Sequence, residues 1–328
     1  MKFLAKFFFA TALAGVIAVL LVLQWPVPLS EPKLLVRIPQ GASLRTAAHS
    51  LNEGGVGIPA WIISGVGRVA GLSTSIKAGS YEFDQGIALW ALLRKLSSGD
   101  TSQADMLFVE GTTFRDIRVK LNSQSELIHA TRDMSDAEIM IKLGAAGQSP
   151  EGWFFPDTYR FDKQSEDLAV LQRAFIAMQK QLNAVWQSRE PNLPLKSPYE
   201  LLILASIVEK ETGAAADRTQ IAGVFINRLR KGMRLQTDPT VIYGLGERFD
   251  GNLRKADLQR DTPHNTYTRD GLPPTPICMP GIAALKAAAH PAKTDALYFV
   301  AKGDGSSQFS ATLDAHNQAV NQYQRGKP

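Results

Sequence analysis

Ser197-Pro198-Tyr199-Glu200-Leu201-Leu202-Ile203-Leu204-Ala205-Ser206-Ile207-Val208-Glu209-Lys210-Glu211-Thr212-Gly213 is the stretch on which the fold turns. Ser197 is placed to cap a helix, Pro198 suits its first position, and Glu200 completes a capping box. Gly213 supplies the stop. Seven of the eight residues from Leu201 to Val208 are apolar, so the helix they form is buried on most of its surface. At about 100° per residue, Glu211 lies about 53° from the centre of the apolar face, Glu209 about 107° and Lys210 about 153°. Lys210 is therefore expected in water, Glu209 at the border and Glu211 towards the buried side. A carboxyl on an apolar face holds its proton to higher pH, as a general acid requires. The helix alone fits two readings: a catalytic acid, or a border carboxylate paired with an arginine.

Around this helix stand 328 residues, 45% hydrophobic, long enough for two or more domains. The formal net charge of +5 is spread along the chain, with no basic run dense enough for nucleic acid. The single cysteine, Cys278, allows no intrachain disulfide and no cysteine-based zinc site, and reads as a packed small apolar residue. His49, His129, His264, His290 and His316 are far apart, without metal-ligand spacing. The expectation is a protein with no metal and no cofactor. Gly111-Thr112-Thr113 lacks a partner base, so no nucleophilic serine-type site is in view.

Upstream, Lys2 and Lys6 precede an uncharged run from Phe7 to Trp25. At about 1.5 Å per residue that run nears the roughly 30 Å hydrocarbon core of a bilayer. Ala12-Leu13-Ala14 lies inside the run, too early for signal cleavage. The expected arrangement is a cytoplasmic tail (1–6), a transmembrane helix (7–25), an extended linker (26–34), a small α+β module (35–103), a connecting part (104–195) and a final α+β domain (196–328). In the module, a strand over 34–38 leads to a helix capped by Ser43 with Leu44, Ala47, Ala48 and Leu51 on one face. A second helix over 59–69, a strand near 78–83 and a third helix ending near Gly99 complete it. Beyond it, a strand near 106–109, helices near 113–121, 168–186, 217–230, 282–289 and 313–323, and a strand over 296–301 follow. Asp238-Pro239 opens a short helix. Residues 122–150 show only weak periodicity.

At this point the residues carry a resemblance. Ala205–Thr212, Val224-Phe225-Ile226-Asn227-Arg228-Leu229 and Met233-Arg234-Leu235-Gln236-Thr237-Asp238-Pro239-Thr240-Val241-Ile242-Tyr243-Gly244 are similar to the YceG-like family of endolytic murein transglycosylases. Glu151-Gly152-Trp153, Asn265-Thr266-Tyr267, Gly271-Leu272-Pro273-Pro274, His290-Pro291 and His316 extend the match. Cys278-Met279 departs from the pattern, where a polar residue such as asparagine is expected before Pro280. The resemblance implies cleavage of the β-1,4 bond between N-acetylmuramic acid and N-acetylglucosamine in nascent peptidoglycan, leaving a 1,6-anhydro end. It implies membrane anchorage, a periplasmic catalytic domain and cooperation with peptidoglycan synthases. It also implies one carboxyl that acts first as acid and then as base, where most glycosidases need two. Glu211 is the first choice, being the more inward, and Glu211-Thr212 resembles the Glu-Ser pair of other lytic transglycosylases; Glu209 is the second candidate. Gln236, Asp238, Tyr243, Asn265 and Tyr267 are candidates to line a sugar groove, with Asp238 alternatively a helix cap, Tyr243 core and Asn265 a turn residue. Arg228 could pair with either glutamate or be solvated. Trp153-Phe154-Phe155 reads as an interdomain plug, and His290 and His316 as structural. Residues 35–103 resemble a LysM-like module. Two rivals stay open: a non-catalytic wall-binding scaffold, and a hydrolase in which Asp238 activates water.

Overall fold

The computed structural model describes residues 11, 13–15, 17, 21, 23–211 and 213–326. Among the described residues no helix is long and apolar enough to cross a membrane, and much of the expected 7–25 span lies outside them. The chain forms two compact units. Of the described residues, the first holds those up to 105 with 126–128 and 160–165; the second holds those in 106–125, 129–159 and from 166 to 326.

In the first unit, strand β1 (Lys33–Ile38) pairs antiparallel with β2 (Gly79–Asp84), Leu34 opposite Phe83 and Val36 opposite Tyr81. Alternation sends Leu34, Val36 and Ile38 to one face, onto which three helices pack. These are α1 (Leu44–Glu53), α2 (Ala60–Val69) and α3 (Leu89–Ser98). Ser43 accepts from the Thr46 amide to cap α1, and Leu44, Ala47, Ala48 and Leu51 are the residues it buries. Gly99 ends α3 in a left-handed conformation that glycine adopts without strain. The stretch expected as a linker packs against this unit. Val27 is buried in its core, its amide donates to the Ile87 carbonyl, and Leu29 bridges to Val56. Proline gave the segment its extended backbone, and Val27 and Leu34 gave it apolar side chains to bury.

The chain continues through β3 (Gln103–Leu107), α4 (Phe114–Ser123), β4 (Leu127–Ile128), α5 (Asp136–Lys142), β5 (Thr158–Asp162) and β6 (Ser165–Glu166). Thr113 with Asp116, and Ser135 with Glu138, form full capping boxes at the starts of α4 and α5. Then come α6 (Asp167–Gln187), α7 (Pro198–Glu211), α8 (Arg218–Arg230), α9 (Asp238–Leu245), α10 (Lys255–Gln259) and α11 (Ile282–Ala289). The antiparallel hairpin of β7 (Tyr298–Ala301) and β8 (Ser307–Ser310) leads into the last α-helix, α12 (Leu313–Val320).

The core of the second unit is α7 itself, with every residue from Leu201 to Val208 buried. Met178, Leu182 and Val185 of α6, Ile221, Ala222, Phe225 and Ile226 of α8, and Ala284, Leu285 and Ala288 of α11 surround it. The expected division near 195 is therefore absent, because α6 and α7 bury their apolar faces in the same core. The aromatic run seals it from inside one unit. Phe154 is fully buried with its ring 4.9 Å from Phe114, and Trp153 stacks on Tyr199 at 5.8 Å. At Ser197 the cap is modified: its hydroxyl accepts from the Glu200 amide at 3.3 Å, while the Glu200 carboxylate takes the Lys196 amide at 2.6 Å.

Gly152 has φ +83°, and a Cβ there would stand 2.6 Å from the Pro276 side chain. Gly152→Ala meets both a forbidden backbone and a clash, so it should lower the melting temperature with a loss of about 1–3 kcal/mol. Thermal denaturation of the two chains checks this.

Candidate active site

Glu211 ends α7, where the buried helix reaches a cleft of about 410 Å³. The cleft is lined by Glu211, Phe225, Arg228, Leu235, Gln236, Asp238, Tyr267, Tyr298, Phe299, Leu313 and His316. Burial pushes the Glu211 carboxyl above the usual carboxylate range. Two neighbours oppose that shift: the Thr237 hydroxyl, which donates to Glu211 Oε1, and the positive charge of Arg228. Asp238 reinforces it by like-charge repulsion. Thr237 is itself fixed, its amide donating to Thr266 Oγ1 at 3.1 Å and its carbonyl accepting from the Thr240 hydroxyl at 2.7 Å. Thr212, the residue after the glutamate, lies outside the described residues.

Glu209 points elsewhere. Its Oε2 accepts from the Gly281 amide at 3.0 Å, at the start of α11, and it takes no part in lining the cleft. Its carboxyl is also raised by burial and by Glu110, with the Gly281 bond opposing. The helix angles carry into the structure: Lys210 is exposed, Glu209 half-buried, and Glu211 opens into the cleft.

The other candidates divide. Asp238 and Tyr267 line the cleft as a pair, with the Tyr267 hydroxyl donating to Asp238 Oδ1 at 2.5 Å. Gln236 lines it with φ +49°, a conformation rare for a residue with a Cβ. Its amide donates to the Thr266 carbonyl at 3.2 Å, which holds the turn. Tyr243 and Asn265 stand outside the cleft lining. The Tyr243 hydroxyl donates to Glu151 Oε2 at 3.1 Å, and its ring lies edge-on to His264. Asn265 is fully buried; its amide donates to the carbonyls of Leu258 and Arg260, and its Oδ1 accepts from the Tyr267 amide. It thus shapes the turn that presents Tyr267. Arg228 pairs with neither glutamate by a hydrogen bond. It donates to the backbone carbonyls of Leu297, Arg234 and Leu235, so it clamps β7 and the cleft wall while acting on Glu211 through space.

Among the residues outside the groove candidates are Tyr298, His316, which the sequence reads as structural, and Thr237, which supports Glu211. Tyr298 and His316 stack at 5.3 Å in the wall. Thr237 was legible only as part of the motif around Gln236. Behind the site, Glu151 is buried, held by the Phe114 amide and the Tyr243 hydroxyl, and burial pushes its carboxyl up to about 7.

The sequence profile of the YceG-like family matches residues 36–322. The chain belongs to the YceG-like family. An endolytic murein transglycosylase of Bacillus subtilis is 34% identical over 313 residues, covering 90% of this chain and 86% of the relative. A protein of the same description from Streptococcus pneumoniae is 27% identical over 91% of this chain, which spans 60% of that relative's length. A crystal structure of a YceG-like protein from Listeria monocytogenes superposes with a TM-score of 0.56 at 31% identity, over 88% of this chain and 99% of that one. The mixed α+β architecture is thus that of a YceG-like fold.

Glu151 sets a pH dependence for this family member's stability. Its carboxyl is raised in the folded state from the ordinary 4.5 to about 7, so the native chain binds the proton more tightly than the unfolded one. Stability is then full below 4.5 and declines as pH climbs through about 7. The decline amounts to about 3 kcal/mol. Glu151→Gln should flatten melting temperature against pH between about 5 and 8, because the amide has no proton to lose. A curve as steep as the native chain's would contradict this role.

Asn265→Ala should act on folding first, since two backbone carbonyls and one amide lose their partner; about 1–3 kcal/mol is expected. Melting curves beside cleavage assays check the order of the two effects.

Proposed function

We propose that this chain is a membrane-anchored lytic transglycosylase that cuts peptidoglycan glycan strands from within, leaving 1,6-anhydro-N-acetylmuramic acid ends. One observation carries the chemistry. Of the two glutamates at the end of the buried helix, Glu211 opens into a cleft lined by polar and aromatic groups, while Glu209 is spent on the Gly281 amide.

The reaction needs one group that first gives and then takes a proton. Glu211, its neutral form favoured by burial, donates its proton to the glycosidic oxygen as the bond to C1 of N-acetylmuramic acid breaks. The acetamido group of that sugar steadies the cationic centre. The C6 hydroxyl then closes on C1, and the Glu211 carboxylate takes its proton, so no water enters the product. Burial favours the acid form, and Thr237 and Arg228 favour the base form, which keeps both steps within reach of one group. In this reading Gln236, Asp238 and Tyr267 hold the sugars, the stacked Tyr298 and His316 complete the lining, and Tyr243 and Asn265 support the site from behind. The names of the relatives and the family membership support the substrate and the reaction.

The same reading makes residues 7–25 an uncleaved anchor with the N-terminus in the cytoplasm and both units beyond the inner membrane. Residues 35–103 are a LysM-like module, and peptidoglycan synthases are partners at the growing strand. The uncharged run behind Lys2 and Lys6 supports the anchor. The mature chain should keep its first residues and stay with the membrane through a salt wash.

Glu211→Gln keeps shape and polarity but cannot shuttle the proton. Release of anhydro-muropeptides from purified murein should fall by about 10³-fold or more, with the melting temperature held or raised. Glu209→Gln should cost far less; a greater loss there would move the acid to Glu209. Thr237→Val removes the bond that favours the charged form of Glu211, raising its pKa further. The acid step needs Glu211 protonated, so the alkaline limb of the rate–pH profile should move to higher pH. An unmoved limb would separate Thr237 from the acid.

A further inference from the structure

A second groove, of about 520 Å³, lies in the first unit between α1 and α2. Two helical stripes face it. Arg45, His49 and Asn52 recur at helical spacing on α1, and Trp61, Ser64 and Arg68 on α2. Arg45, His49, Trp61 and Arg68 are exposed, Trp61 at 76%. Among the described residues, Arg45 and Arg68 have no hydrogen-bonded or ion-paired partner, and no carboxylate lines the groove. Ser64 is only 7% exposed, yet its hydroxyl has no hydrogen-bond partner. Two unpaired guanidinium groups with no carboxylate between them make the groove cationic.

The lining selects the chemical class. Neutral glycans want paired donors and acceptors with carboxylates or amides. Here the one amide, Asn52, already donates to the Val56 and Ile58 carbonyls. What remains for a ligand to meet is two guanidinium forks and an imidazole, a set suited to a phosphate oxyanion. Trp61 adds an amphipathic ring of the kind found at headgroup depth.

The fold says where such a ligand would come from. Leu29 bridges to Val56, and the Gly57 amide donates to the Pro28 carbonyl at 2.8 Å. The chain leaving the uncharged run is thus pinned to the α1–α2 turn, two residues before Pro59, which lines the groove. We infer that the α1–α2 groove binds the phosphate headgroup of an anionic phospholipid in the membrane that holds residues 7–25. This rests on the membrane reading of that run. The site would hold the first unit down on the lipid surface, in addition to the covalent tether.

The test places the full chain in lipid nanodiscs, one set of phosphatidylcholine alone and one with phosphatidylglycerol admixed. Each set carries a trace lipid bearing a quencher on its headgroup. The Trp61 signal is the fluorescence difference between the native chain and Trp61→Phe. Quenching at least about twofold stronger in the phosphatidylglycerol discs is expected, abolished in Arg45→Gln/Arg68→Gln and unaffected by added inorganic phosphate. Both substitutions are at exposed positions, and murein cleavage should be unchanged. Equal quenching in the two lipids, indifference to the double substitution, or displacement by inorganic phosphate or by soluble muropeptides would overturn the headgroup site. A chain that fails to enter the discs at all would instead overturn the membrane reading, and the headgroup site with it.

Discussion

The site depends on what happens when a carboxyl is placed at the end of a helix whose residues from Leu201 to Val208 are all buried. So enclosed, α7 cannot rotate to relieve its last residues. Glu211 must then meet a low-dielectric environment, which favours its neutral form. The Thr237 hydroxyl and the nearby Arg228 charge favour the ionised form instead. Neither influence removes the other. The result is a group poised to lose and regain a proton at the edge of a cleft, the property a single-residue acid–base mechanism requires.

The supports of that group are themselves polar and buried. Asn265 satisfies the carbonyls of Leu258 and Arg260 and presents Tyr267; Arg228 ties the β7 region to the strand of chain that carries Leu235. Buried polar networks of this kind are worth their desolvation only when each member is satisfied. Glu151 is the expensive member. Its carboxyl orders the Phe114 amide and the Tyr243 hydroxyl, yet burial raises its pKa to about 7, so its charged and neutral forms are about evenly matched at neutral pH.

Local chemistry made much of this legible in the sequence. Ser43, Thr113 and Ser135 cap helices through partners three residues away, and helical angles alone separated Lys210, Glu209 and Glu211. Of these caps, the one at Ser135 escaped notice because the helix it starts is short and flanked by polar turns. What stayed hidden rests on distant partners. Tyr243 reads as a groove residue until Glu151, 92 positions away, claims its hydroxyl. Thr237 gains its meaning from Glu211, 26 positions earlier. The division near 195 looked natural from Pro191 and Pro194, but the stacking of Trp153 on Tyr199 belongs to one continuous core. The proline-rich stretch after Trp25 likewise looked like a free linker until Val27 proved to be a core residue.

The central claim is that one buried carboxyl moves a proton both ways while the substrate's own hydroxyl, not water, closes the reaction. Digestion of purified murein in heavy-oxygen water, read by mass spectrometry of the released muropeptides, tests it directly. The account predicts muramic termini lighter by one water and free of the heavy isotope. Reducing termini carrying heavy oxygen would show that water is activated in the cleft, and would shift the chemistry to a hydrolase using Asp238 beside Glu211.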